Sequence, residues 1–238
     1  MRLAVFSDIH GNAPALAAVL DDIRRRGAEK IVCAGDLVGY GPYPNEVIDM
    51  LRGEKILTVA GNYDDAVAFN RPMCGCAFPD EKARELGEQS LSWTQARTTE
   101  ENKAFLRSLP RELRLRAGER EVLVVHGSPR FLDEYLGEDA PEDLLAEIFN
   151  AHPADVLVVG HTHKPFYRQF EGRHIINAGS AGKPKDGNPH AVYALILLGQ
   201  RVEVSFPRVP YDVARVARAI EEAGLPTAFA RQLLAGCE

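Results

Sequence analysis

The sequence predicts an α/β protein made of two packed, mixed sheets with helices on the outside. From residue 2 to residue 60, short apolar runs alternate with amphipathic stretches in a β-α-β-α-β order, which implies parallel pairing with right-handed crossovers. Later runs come in pairs around glycine-containing turns, and such hairpins make a sheet mixed. The strands total about nine to eleven, more than one twisted sheet holds comfortably, so two sheets are expected.

Taken in order, residues 2–7 form the first strand, and a loop over 8–12 follows it. Asn12 with Pro14 marks the start of a helix over 13–26, where Leu16, Val19, Leu20 and Ile23 recur at three- and four-residue steps. One face of that helix therefore packs on the sheet, and Gly27 ends it. Strand 30–34, helix 45–52 and strand 55–60 continue the alternation, with the turn-rich Gly39-Tyr40-Gly41-Pro42-Tyr43-Pro44 between the first two. Residues 63–71 read as irregular or a short helix, and helices follow near 80–97 and 100–108. This segment, 63–108, is the largest departure from alternation. It is expected to be a helical cap over the strand ends or a helical flank on one sheet edge. Runs 111–116 and 120–125 make a hairpin around Gly118-Glu119. Helix 142–150 and strand 155–159 come next, then hairpin 166–170 with 173–176 and hairpin 191–198 with 201–206. Amphipathic helices 211–222 and 226–234 close the chain, with Arg215 and Arg218 on a solvated face. Without an internal repeat or a clear linker, residues 1–238 are expected to form a single domain.

The balance of 45% hydrophobic and 26% charged residues is that of a soluble globular chain. A net charge of -6 argues against nonspecific nucleic-acid binding. A phosphorylated substrate stays open, because bound divalent cations reverse the local sign. The four cysteines, Cys33, Cys74, Cys76 and Cys237, form no disulfide framework. Cys33 reads as a small buried residue, and Cys74-Gly75-Cys76 as a metal or redox step or a loop with two free thiols. The chain reaches Asp8 before any signal-type segment develops, and its longest apolar run, 191–198, is too short to cross a bilayer. A cytoplasmic protein with no membrane partner is expected.

The functional signal lies where the apolar runs end. They finish in Ser7-Asp8-Ile9-His10, Gly35-Asp36, Gly61-Asn62, His126-Gly127, Gly160-His161-Thr162-His163 and Asn177-Ala178-Gly179-Ser180. In open α/β sheets, ligands and catalytic groups collect beyond the carboxyl ends of strands. Singly, each residue has a plainer role: Asp8 as a helix cap, Asp36 in a turn, Asn62 at a left-handed position, His10 and His126 as hydrogen-bonded core histidines. Together, two aspartates, an asparagine and four histidines are borderline nitrogen and oxygen donors suited to Zn, Mn, Fe, Ni or Co. A pair of such ions needs an anionic bridge, and Asp36 suits that role, since neutral imidazole offers one lone pair. Two carboxylates leave surplus positive charge, so an anionic phosphate ester has something to bind, and a water bridging both ions would attack phosphorus in line.

The order Asp8-Ile9-His10, Gly35-Asp36, Gly61-Asn62, His126-Gly127, Gly160-His161-Thr162-His163 resembles the five blocks of the calcineurin-like metallophosphoesterases over residues 2–182. Within that family it is most similar to the small bacterial and archaeal phosphodiesterase-type members, often labelled diadenosine tetraphosphatase-like. The resemblance implies a four-layer α-β-β-α sandwich with a dinuclear centre of Mn, Fe, Ni, Co or Zn. It implies Asp8, His10 and His163 on one ion, Asn62, His126 and His161 on the other, and Asp36 between them. It places Asn177, Gly179 and Ser180 near the site as loop-shaping residues. Asp36, Asn62, Tyr63 and His126 are the expected catalytic positions.

Two departures from the family pattern matter. The second block continues Leu37-Val38-Gly39-Tyr40-Gly41 and lacks the arginine of the protein-phosphatase branch, which discounts that activity. The third block has Tyr63 where the family carries a histidine that helps protonate the leaving oxygen. A phenol is a weaker acid than imidazolium, so esters with acidic leaving groups are expected to turn over best. Arg130, Lys164 and Lys183 are candidate phosphate contacts, and Tyr40 and Tyr43 candidate stacking partners for a base. The leading expectation is a metal-dependent phosphodiesterase acting on a phosphate-ester small molecule or nucleotide. The alternatives are a nucleotide pyrophosphohydrolase of the diadenosine polyphosphate type, which needs a basic cap pocket, and a non-catalytic scaffold with this fold.

Overall fold

Alternation of side chains along each strand builds the architecture. In the computed structural model, which describes residues 1–237, β1 (Arg2–Phe6) sends Leu3 and Val5 to one face and Ala4 and Phe6 to the other. Ala4 and Phe6 meet α1 (Ala13–Arg25) through Leu16, Val19, Leu20 and Ile23, and α2 (Pro44–Gly53) covers the same face. Asn12 caps α1, its side chain accepting from Ala15 N at 3.1 Å. Pro44 opens α2 at a position where a missing N–H costs nothing.

The first sheet runs β11 (Val202–Ser205), β10 (Ala194–Leu198), β1, β2 (Lys30–Cys33), β3 (Leu57–Thr58). The second runs β4 (Glu112–Ala117), β5 (Arg120–Val125), β6 (Val156–Val159), β8 (Arg173–Asn177), β7 (Phe166–Phe170). Leu3, Val5, Val32, Ala194 and Ile196 of the first sheet pack on Val122, Val124, Val156, Val158 and Ile176 of the second. On the far face of the second sheet, Leu123, Leu157, Val159 and Ile175 meet Leu145, Ile148 and Phe149 of α6 (Glu142–Ala151). Helix, sheet, sheet and helix thus stack as four layers, and both sheets are mixed, as expected.

Within the sheets, β1, β2 and β3 are parallel to one another, and so are β5, β6 and β8. Their carboxyl ends carry every donor the sequence singles out. The antiparallel members β4, β7, β10 and β11 carry none.

Two details differ from expectation. The third strand is shorter than 55–60, because Ala60 N turns away to bond Pro110 O at 2.8 Å. The long run over 191–198 is split at Tyr193. Ala191–Val192 (β9) pairs with Arg208–Val209 (β12) as a separate ribbon, while Ala194–Leu198 joins the main sheet. Tyr193 is wholly buried at the break and its hydroxyl donates to Asp22 Oδ2 on α1 at 3.0 Å. The segment after β3 forms α3 (Asn62–Ala68), α4 (Glu81–Arg97) and α5 (Glu100–Ser108). Helices α7 (Val213–Glu222) and α8 (Thr227–Ala235) pack on each other, with Tyr40 and Trp93 against them. No helix among the described residues is long and apolar enough to cross a membrane.

Ile176, central in its sheet and wholly buried between the two sheets, sets a test of this packing. Ile176→Ala should cost about 2–5 kcal/mol, read as a lower urea midpoint at unchanged slope.

Candidate metal centre

Six of the seven donors sit in short loops after parallel strands, Asn62 opens α3, and the backbone of most of those loops is unusual. Asp8, His10, Asp36, His161 and His163 have φ of 54°, 49°, 54°, 66° and 60°. This left-handed conformation costs a non-glycine residue roughly 1–2 kcal/mol. The loops interlock closely: a Cβ on Gly61 would overlap the Asp36 carboxylate.

The loops bring all seven predicted donors together. Asp8, His10 and His163 form one buried group and Asp36, His126 and His161 another, with the donor atoms of each within 4.8 Å of one another. Asp36 Oδ2 lies 3.7 Å from His10 Nε2 and 3.4 Å from His126 Nε2, so it faces both groups. The Asn62 amide Nδ2 donates to Cys74 O at 2.9 Å, which turns Oδ1 inward to 3.0 Å from His126 Nε2.

Backbone carbonyls orient all four imidazoles. His10 Nδ1 donates to Val38 O at 2.9 Å, His126 Nδ1 to Ala34 O at 2.8 Å, and His163 Nδ1 to Lys183 O at 2.6 Å. His161 is reversed, with Nε2 donating to Asp133 O at 3.2 Å. A carbonyl only accepts, so in a neutral ring the lone pair is left on the inward nitrogen. His10 Nε2 and His163 Nε2 therefore face each other at 3.2 Å. Asp8 Oδ1 lies buried without a hydrogen bond, 3.2 Å from His163 Nε2. Lone pairs aimed at one another repel, and a divalent cation held between them would relieve that repulsion. The donor set of imidazole, carboxylate and amide oxygen fits the borderline ions named above.

Burial holds the His10 and His161 imidazoles down at about 3 and about 4. Burial opposes charge on His126 as well, but the adjoining Asp36 and Asp8 outweigh it and push that ring up to about 10. The Asp8 and Asp36 carboxyls stay below their usual range: burial would raise them, but His163 beside Asp8 and His126 beside Asp36 prevail.

Other side chains hold these loops. Ser180 Oγ donates to Asp8 O at 2.7 Å, Asn177 Nδ2 to Gly160 O at 2.6 Å, and Asn177 Oδ1 accepts from Gly179 N at 2.9 Å. Asp64 is a further anchor that the sequence reading missed. Its carboxylate, wholly buried, accepts from Leu37 N at 2.8 Å and Gly61 N at 2.9 Å, tying the Asp36 loop to the Asn62 loop. Burial and the neighbouring Asp36 push its carboxyl up to about 7. Its signal was its place three residues after Gly61, where a side chain can reach back to a helix start.

Tyr63 N donates to Asp36 Oδ1 at 2.9 Å, and the ring packs on Gly39 and 4.9 Å from Tyr40. Its hydroxyl, beside Tyr40 and Cys74, has no hydrogen bond of good geometry. A cavity of about 370 Å³ opens onto these groups, lined by His10, Asp36, Tyr63, His161 and His163 among others. Tyr40 and Lys183 line it too. The remaining candidate contacts do not. Arg130 pairs with Glu134 and Glu147, Lys164 lines a neighbouring cavity, and Tyr43 stands at the start of α2.

A four-layer α-β-β-α fold with nitrogen and oxygen donors clustered at its strand ends defines a class of proteins built to hold divalent metals. Residues 1–200 match the calcineurin-like phosphoesterase superfamily domain. The chain is 34% identical to an uncharacterized protein of Methanocaldococcus jannaschii over 98% of both chains, and 29% identical to the phosphodiesterase YfcE of Escherichia coli over 82% of this chain and 87% of that one. A crystal structure of a metallophosphoesterase from Sphaerobacter thermophilus superposes with a TM-score of 0.79 at 34% identity, covering 99% of each chain. The chain belongs to the calcineurin-like phosphoesterase superfamily.

The Asp64 clamp can be tested directly. Asp64→Ala strands two buried N–H groups at roughly 1–3 kcal/mol each. Chemical denaturation should show a loss of about 2–6 kcal/mol, and metal analysis a lower content per chain.

Proposed function

We propose that the protein is a metal-dependent phosphodiesterase acting on a small phosphate ester or nucleotide. The observation that carries this reading is Asp36 Oδ2, which faces His10 and His126 at once and so stands between the two donor groups. Asp8, His10 and His163 would hold one divalent ion, Asn62, His126 and His161 the second, and Asp36 both. Mn, Fe, Ni, Co and Zn all suit these donors. Such a pair supplies, when bound, Lewis-acid activation of the ester and an acidified water.

The chain's own residues then have separate tasks. Carbonyl anchors hold each imidazole with one ring nitrogen turned inward, so binding needs little rearrangement. The cavity beside them takes the ester. The Tyr63 hydroxyl, buried and lacking a partner, donates a hydrogen bond to the leaving oxygen without surrendering its proton. The presence of all seven donors favours an enzyme over a scaffold with this fold. Residues 1–238 act as one domain, and the 63–108 segment is a cap in part, because Tyr63, Cys76 and Phe78 line the cavity.

Purified protein is expected to hold two divalent ions per chain and, with manganese supplied, to hydrolyse bis-(p-nitrophenyl) phosphate faster than p-nitrophenyl phosphate. Asp36→Asn should reduce both rates to background. A folded chain that holds two ions and hydrolyses neither ester, nor a cyclic nucleotide, ends the reading.

Tyr63→His restores a stronger acid beside the leaving group. It should raise turnover of an alkyl monoester such as glycerol phosphate by about tenfold or more, with a smaller effect on the nitrophenyl diester. A fall in alkyl monoester turnover at unchanged metal content would refute the role of Tyr63.

A further inference from the structure

Three buried side-chain nitrogen or oxygen atoms lack a hydrogen-bond partner among the described residues: Asp8 Oδ1, the Tyr63 hydroxyl and Gln232 Oε1. The first two belong to the donor cluster and its rim. Gln232 does not. It lies on α8, beyond residue 200 where the family match ends, yet it lines the same cavity. An amide oxygen kept from water without a partner costs about 1–3 kcal/mol. No donor among the described residues satisfies it, which leaves room for a donor on a bound ligand.

The surroundings of Gln232 narrow the chemistry of that group. Phe229, one turn earlier on α8, is buried and meets Tyr40 edge-on at 5.1 Å. Phe78 also lines the cavity, seated where a Cβ on Gly87 of α4 would strike its ring. Apolar rings and one unpaired acceptor suit a flat heteroaromatic group that carries an N–H donor. Lys82, Lys183, Lys185 and Arg231 also line the cavity, against the carboxylates of Asp36 and Asp80. Lys82 and Arg231 thus place two cations on the lining of a cavity in a chain of net charge -6. Its volume of about 370 Å³ is that of a small-molecule site.

We propose that α8, together with the segment carrying Phe78, forms a base-binding subsite, and that the substrate is a nucleotide phosphodiester. Gln232 accepts a hydrogen bond from the base, Phe229 and Phe78 supply apolar surface for it, and Arg231 with Lys82 favours its phosphate. The assignment of the scissile group rests on the phosphodiesterase reading. The subsite itself does not.

Binding without turnover tests the two apart. The purified full chain, with its metals, is titrated calorimetrically with the four nucleoside 5′-monophosphates and with ribose 5-phosphate, which has the anion but no base. At least one nucleotide should bind about tenfold more tightly than ribose 5-phosphate, the worth of one good hydrogen bond with ring burial. Gln232→Leu and Gln232→Met should each remove most of that advantage, leave ribose 5-phosphate within about twofold of wild type, and melt no lower than wild type. The subsite is overturned if no nucleotide exceeds ribose 5-phosphate, or if both variants preserve the ratio. Selective nucleotide binding by a chain that hydrolyses no ester would keep the subsite and sink the phosphodiesterase reading. Hydrolysis of bis-(p-nitrophenyl) phosphate with no preference for nucleotides would do the reverse.

Discussion

Two carboxylates and four imidazoles occupy a space almost closed to solvent, and their mutual electrostatics is the constraint on which the rest of the structure depends. Asp8 is wholly buried and Asp36 nearly so. Buried charge is costly unless it is paired. Here the pairing runs in rings: Asp8 faces His163, while Asp36 faces His10 and His126. Asp36 and Asp8 favour charge on His126, while burial disfavours it on His10 and His161. The set therefore carries an anionic surplus with lone pairs turned inward, an arrangement stabilised by bound cations rather than by further packing.

Holding such a set in place demands backbone geometry that local preference disfavours. Five of the seven donors sit in the left-handed region. Strain of this kind persists only when its surroundings over-determine it. The two sheets do so by presenting six parallel strand ends at one rim, and the buried Asp64 and Ser180 lash adjacent loops together. The hydrophobic core between the sheets thus acts on the site at a distance, by fixing where those strands stop.

The layers and the donor set were legible in the sequence because both are written locally. A strand's alternation and the polar residues that follow it lie within ten positions of each other, so six independent runs could be compared directly. What escaped depends on contacts between distant segments. The stretch over 191–198 reads as one continuous strand, and only the pairing of Ala191–Val192 with Arg208–Val209, away from the main sheet, reveals the break. Left-handed backbone at Asp8, Asp36 and His163 carries no glycine to announce it. The carbonyls that orient the histidines belong to Val38, Ala34, Asp133 and Lys183, whose side chains bear no relation to that task. Gln232 and Phe229 read as ordinary positions on a closing amphipathic helix, and only the packing of α7 and α8 brings them to the cavity.

That last point separates two kinds of residue at one cavity. The donors are aimed largely by main-chain atoms, and main-chain hydrogen bonds survive most changes of the side chains around them. Across the cavity, α8 and the segment before α4 contribute Phe229, Gln232 and Phe78. A substitution at Gln232 or Phe78 alters the shape and hydrogen bonding offered to a ligand while the loops that carry Asp36 and His126 keep their anchors. On the reading proposed above, reactivity and selectivity rest on different physical interactions. The same floor of strand ends can serve different esters according to what the last helix presents to them.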